Sequence, residues 1–99
     1  MDQEQKEYFM NEALKEAKLA FDAGEIPIGC VLVYQGKIIG RGHNLRQASQ
    51  QAIDHAEILA ISQANKRLAS WRLAGCQLFV TLEPCPMCAG AILNARIDE

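Results

Sequence analysis

The sequence has no apolar run approaching the length of a membrane span. Its first residues, Met1 to Glu7, are polar and acidic where a secretory signal needs a basic start followed by an apolar stretch. These absences speak against a spanning helix and a secretory leader, so the expectation is a cytoplasmic protein with no membrane partner. A basic surplus is missing as well. Ten Lys and Arg against twelve Asp and Glu give a net charge of -2, so bulk electrostatics offer no general attraction to nucleic acid, and any such partner must be argued from a site. There is no internal repeat, low-complexity segment or linker, and 99 residues fit one small domain, residues 1–99. A domain below the usual size is expected to draw support from a metal or a partner surface.

What is present is ordinary for a folded chain: 49% hydrophobic and 22% charged residues, too apolar for disorder. From Glu4 to Ala23 the residues Phe9, Ala13, Ala17, Ala20 and Phe21 recur at helical spacing. Met10 and Leu14 widen that stripe against a charged opposite face. Gly24 supplies a helix stop and Pro27 cannot continue one. Ile28 to Tyr34 reads as a strand buried on both faces. Gln35-Gly36 makes a tight turn into a second strand from Lys37 to His43, as an antiparallel hairpin. Asn44 to Ala52 reads as a loop. Asp54 is the expected N-cap of a second helix from His55 to Leu68, with Ile58, Leu59, Ile61 and Ala64 on its buried side. A third strand, Gln77 to Thr81, and a third helix from Pro86 to Ala95 complete an α/β layered order.

Of four cysteines and two histidines, three sit in a pattern that carries chemistry: His55-Ala56-Glu57 at one helix start and Pro84-Cys85-Pro86-Met87-Cys88 at another. Cys85 and Cys88, three apart, place both thiolates on one side of a first helical turn, where the helix dipole favours the ionised form. His55 adds a nitrogen ligand. Three protein ligands on a tetrahedral zinc leave the fourth position to water, whose pKa can fall to about 7. Glu57, two residues beyond His55, borders the same end of the helix without touching the metal and is suited to moving protons. A C-x-x-C alone would equally suit a redox pair. Redox folds carry that motif after their first strand, whereas here it follows the third and an H-x-E precedes it. Cys30 and Cys76 read as core residues, His43 as a non-ligand, and Trp71 as a core or flank aromatic. Arg41, Arg46, Lys66, Arg67, Arg72 and Arg96 read as solvated surface charges.

An H-x-E…P-C-x-x-C arrangement is an established signature of zinc-dependent deaminases. Together with Gly24-Glu25-Ile26-Pro27-Ile28-Gly29, Gly42-His43-Asn44, Trp71-Arg72-Leu73 and the run Leu78 to Ile97, it resembles the bacterial tRNA-specific adenosine deaminases over nearly the whole chain. Within the cytidine/deoxycytidylate deaminase superfamily, the flanking residues point to the branch that converts adenosine to inosine at the anticodon wobble position.

The resemblance implies a cytidine deaminase-like three-layer α/β/α fold, here with its first three strands and three helices. It implies one Zn2+ per chain on His55, Cys85 and Cys88, Glu57 as proton shuttle, Asn44 contacting the purine and Ile28 bordering the base pocket. The implied partners are a tRNA anticodon stem-loop and a second copy of the chain in a homodimer. Asn44 suits a loop cap almost as well as a base contact. Two alternatives stay open: a free nucleoside or base deaminase acting on cytidine, dCMP or guanine, and a non-catalytic zinc-stapled fragment with Cys30 or Cys76 as fourth ligand. Family chains continue past Asp98-Glu99 with further strands and a helix. The expectation is therefore a truncated, metal-binding hydrolase domain of weak activity, with the third strand open to pairing.

Overall fold

The computed structural model describes residues 1–45 and 55–81. Its elements are α1 (Gln3–Asp22), β1 (Gly29–Tyr34), β2 (Lys37–His43), α2 (Ala56–Leu68) and β3 (Cys76–Val80). The expected cap Asp54, most of the Asn44–Ala52 loop, and the third helix with Cys85 and Cys88 lie outside the described residues.

Helix α1 begins in a capping box. Asp2 Oδ1 accepts from the Gln5 amide at 2.8 Å and Gln5 Oε1 accepts from the Asp2 amide at 3.0 Å, satisfying donors that a first turn leaves unpaired. It ends at Gly24, which turns left-handed at φ 78°. The Glu25 amide then donates to Ala20 O at 2.9 Å and the Gly24 amide to Phe21 O at 3.0 Å, the paired bonds of a Schellman stop. Gln35 and Gly36 both take positive φ, 50° and 76°, as a two-residue hairpin turn requires. Strands β1 and β2 pair antiparallel as expected, and β3 adds antiparallel to the other side of β1, giving the order β2-β1-β3.

The unbroken apolar character of β1 has a structural cause. Val31 and Val33 pack with Phe9 and Ala13 of α1, while Cys30 and Leu32 pack with Ala56, Ala60 and Ala64 of α2. Alternate side chains thus bury against helices on opposite faces, and three layers, α1, sheet and α2, follow from one strand. Cys30, Val31, Leu32 and Val33 are fully buried, and removing a Val or Leu side chain from water contributes about 1.5–3 kcal/mol. Cys76 joins Cys30 in the α2-side core, the place expected for both. Among the described residues no helix is long and apolar enough to cross a membrane.

Three expectations are corrected. First, α1 is rotated from the face its apolar spacing suggests: Phe9, Ala13, Ala17 and Ala20 are buried, but so are Glu12 and Glu16, whereas Met10, Leu14 and Phe21 are exposed. The cause lies on β2. Arg41 Nη2 donates to Glu12 Oε1 at 3.1 Å, and Arg41 Nε stands 2.9 Å from Glu16 Oε2 as an ion pair without hydrogen-bond alignment. Lys15 Nζ reaches Glu12 Oε2 at 2.6 Å. Arg41, its side chain 38% exposed, is therefore an ion-pair partner of both buried carboxylates and more than a solvated surface charge. Second, α2 is capped by His55, with Ala56 as its first residue. Third, its buried side runs through Ala56, Ala60, Ile61 and Ala64, with Ile58 and Leu59 only half-buried. Glycines explain this choice: a Cβ on Gly40 would lie 2.2 Å from Ala60 O and one on Gly42 2.4 Å from Ala56 O. Helix and strand meet backbone to backbone, so small residues occupy the contact.

The same closeness holds α1 to β1, where a Cβ on Gly29 would stand 2.1 Å from Ala13 O. We expect Gly29→Ala to lower unfolding free energy by about 1–3 kcal/mol in urea and Leu14→Ala to change it by less than about 0.5 kcal/mol. A reversed order would contradict the rotated face of α1. The hydrogen bond from Lys15, then that from Arg41, hold the Glu12 carboxyl below its ordinary 4.5 against the opposing effect of burial. A depressed folded value stabilises above the ordinary one, and that stabilisation is lost as pH falls through the folded value. Glu12→Gln should therefore be less stable than the parent at neutral pH, with the gap closing as pH falls below 4.5, read from urea midpoints across the acid range.

Candidate active site at the start of α2

Strand β2 leaves the sheet at His43, and the next residue, Asn44, turns into the α2 side of the structure. The Asn44 amide donates to Ile28 O at 3.3 Å, and its side-chain Oδ1 accepts from the Ala56 amide at 3.1 Å in a buried bond. That bond satisfies one of the donors a helix start leaves open. Asn44 thus does for α2 what its own N-cap does not, because His55 makes no side-chain capping bond. The same bond brings Asn44 to the His55-Ala56-Glu57 corner.

His55 stands in extended backbone at φ -83°, ψ 155°, and its carbonyl accepts the first helical bond from Leu59 at 3.1 Å. Glu57, in the first turn, is only 3% exposed. The positive end of the α2 dipole favours its negative charge.

A further tie was not read from the sequence. Thr81, just past β3, accepts the Gly29 amide on Oγ1 at 3.1 Å, and its own amide donates to Gly29 O at 3.1 Å. The chain therefore leaves β3 beside Ile28. Only the alternation of strand residues and a β-branched hydroxyl at a strand end could have hinted at this. Ile28, Asn44, His55, Glu57 and Thr81 are brought to one corner by β1, β2, α2 and β3. Among the described residues no three His, Cys, Asp or Glu side chains gather into a metal cage. The remaining members of the expected ligand set, Cys85 and Cys88, follow Thr81 in sequence and lie outside the described residues. Trp71, 58% exposed, takes the flank position, with the Arg72 guanidinium 5.0 Å from its ring centre.

A sheet covered on both faces by helices, with a histidine and a buried carboxylate at the start of one of them, defines an α/β domain of the cytidine deaminase-like class. Residues 3–99 match the model of the cytidine and deoxycytidylate deaminase zinc-binding region, and the chain belongs to that family. It is 57% identical over 95 residues to the tRNA-specific adenosine deaminase of Bacillus subtilis strain 168, covering 96% of this chain and 59% of that protein. It is 60% identical over 96 residues to the tRNA-specific adenosine deaminase of Streptococcus pyogenes serotype M18, covering 97% and 60%. A structure solved in a study of A-to-I editing by tRNA:A34 deaminases superposes with a TM-score of 0.88 at 48% identity, over 91% of this chain and 69% of that one. The guanine deaminase of Bacillus subtilis superposes equally well, TM-score 0.88, at 40% identity over 97% and 60%. The chain spans about three fifths of the length of the curated relatives it matches.

The Asn44 cap is directly testable. Asn44→Ala should destabilise the chain by about 1 kcal/mol and Asn44→Asp by little, since both Asn and Asp accept from helix-start amides. Equal urea midpoints for the parent and Asn44→Ala would remove the bond from the account.

Proposed function

We propose that this chain is the metal-binding part of a hydrolytic deaminase that converts adenosine to inosine at the wobble position of a tRNA anticodon. The observation that carries the reading is the burial of Glu57 beside the Asn44-bound start of α2, in a chain 57–60% identical to tRNA-specific adenosine deaminases. A soft divalent cation fits the donor set: one imidazole at the α2 N-cap and, following Thr81 in sequence, two cysteines in C-x-x-C spacing. His55, Cys85 and Cys88 would hold one zinc, and Glu57 would stand outside that set. Zinc held there supplies an acidified water and a positive charge facing the base.

The remaining work falls to side chains. Glu57 takes a proton from the water that adds to the base and gives it to a purine ring nitrogen, then takes the proton of the added hydroxyl and gives it to the amine, which departs as ammonia, a role worth about 10²–10⁴-fold. Its burial keeps that carboxylate away from competing water. Asn44 Oδ1 is committed to the Ala56 amide, which leaves Nδ2 to donate to an acceptor on the base edge. Ile28, half-buried and hydrogen-bonded through its carbonyl to Asn44, borders the same space. A base must leave its stack to reach such a corner, which suits an unpaired anticodon loop. The proposal includes a cytoplasmic setting, where tRNA is decoded, and a second copy of the chain beside the site. Deamination of a free purine base is the second reading, favoured by the superposition on guanine deaminase.

Elemental analysis should find one zinc per chain, most of it lost in Cys85→Ser and Cys88→Ser and retained in Glu57→Gln. Inosine formed from an anticodon stem-loop, set against xanthine formed from guanine, separates the two readings, and Glu57→Gln should lower the rate about 10²–10⁴-fold. Zinc loss in Glu57→Gln, or turnover close to that of the parent, would refute the shuttle role.

A further inference from the structure

Two carboxylates of α1 are buried without a part in the chemistry above, and one of them is joined to the site by a single strand residue. Glu16 Oε1 accepts from His43 Nδ1 at 2.9 Å. A carboxylate oxygen only accepts, so this imidazole carries hydrogen on Nδ1. The contact is partly buried, with the Glu16 side chain 10% and the His43 side chain 22% exposed. The other carboxylate oxygen, Oε2, faces Arg41 Nε at 2.9 Å, and Arg41 is tied to Glu12, which Lys15 also holds. Glu16 is therefore clamped from the β2 side by two side chains, Arg41 and His43, that stand two residues apart on the same face of the strand.

Strand alternation carries the consequence across the sheet. Arg41 and His43 point toward α1. Gly42 and Asn44 point toward α2, since a Cβ on Gly42 would meet Ala56 O and Asn44 Oδ1 binds the Ala56 amide. His43 is the last residue of β2 and is paired with Gly29. Beyond it the ladder no longer fixes the backbone, and the bond from the Asn44 amide to Ile28 O, at 3.3 Å, is long. The bond from His43 Nδ1 to Glu16 adds a tie on this strand end from the α1 side.

We propose that Glu16 is a positioning residue for the site: by holding His43 Nδ1 on one face of the sheet it sets the peptide that follows and so aims the Asn44 amide at the start of α2 and at the base. This role rests on the reading of Asn44 as a base contact. Its structural part, the coupling from Glu16 to the Asn44–Ala56 bond, stands apart from any activity. Glu16 touches no reacting atom and acts only through His43.

The test is residue-resolved amide exchange and the ¹⁵N spectrum of the Asn44 side-chain amide, recorded on the zinc-supplemented chain and on Glu16→Ala, His43→Ala and Glu16→Gln. Glu16→Ala and His43→Ala should lower protection of the Ala56 amide about tenfold, as loss of about 1.4 kcal/mol would, and shift the Asn44 amide signals. Protection at Leu32 and Ala64 should hold. Glu16→Gln keeps an acceptor for His43 Nδ1 and should restore both signals, which a loss of general stability would not explain. Unchanged Ala56 protection in Glu16→Ala overturns the proposal. So does a fall shared equally by Ala56, Leu32 and Ala64, or a failure of Glu16→Gln to restore the parent pattern. If the coupling holds while Asn44→Ala leaves base recognition untouched, the base-contact reading fails and the positioning of Asn44 stands.

Discussion

Helix α2 and strand β2 touch through their backbones, and the geometry of the candidate site follows from that contact. Gly40 and Gly42 leave no side chain between the strand and the carbonyls of Ala60 and Ala56. The helix start is thereby pressed against the end of β2, near enough for Asn44 to hold the Ala56 amide. A helix start has open donors and a positive end, both of which favour an anion or a polarised ligand there. His55 and Glu57 occupy that end because the two glycines bring it to the corner where β1, β2 and β3 also deliver Ile28, Asn44 and Thr81.

Much of this was legible in the chain. The hairpin, the stop at Gly24 and the doubly buried first strand follow from turn chemistry and from the run Cys30 to Val33. The H-x-E and C-x-x-C pairs carry the ligand types and spacing from which a metal set is expected, and of these the structure describes His55 and Glu57. The face of α1 was misread for a physical reason: periodicity rewards apolar residues, whereas Glu12 and Glu16 are buried because Lys15, Arg41 and His43 answer their charge. No local pattern reveals a partner 25 or more residues away in sequence. The buried stripe of α2 was misread similarly. Ile58 and Leu59 are the larger apolar residues, but the backbone contact with Gly40 and Gly42 turns Ala56, Ala60 and Ala64 inward, with Ile61 also buried. Asp54 reads as the cap by residue type, whereas His55 holds the N-cap position and the side-chain bond to the helix start comes from Asn44.

The family frame sharpens what this corner must decide. The same fold at the same TM-score serves a study of tRNA deaminases and a guanine deaminase, so the layers alone do not choose a substrate. Choice falls to the groups that meet the base and to whatever surrounds it. Asn44 presents Nδ2 because Oδ1 is held by Ala56, and the α1 network behind His43 bears on that orientation. The chain carries the H-x-E and C-x-x-C elements within about three fifths of the length of its curated relatives.

The central claim is that the start of α2 forms one part of an open, catalytic zinc site and not a closed structural one. X-ray absorption at the zinc edge of the metal-loaded chain tests it most directly, because sulfur at about 2.3 Å and nitrogen or oxygen at about 2.0–2.1 Å separate into distinct shells. The account predicts two sulfur neighbours from Cys85 and Cys88 and two lighter ones, the His55 nitrogen and a water oxygen. A shell of three or four sulfurs, drawing in Cys30 or Cys76, or a shell with none, would contradict it.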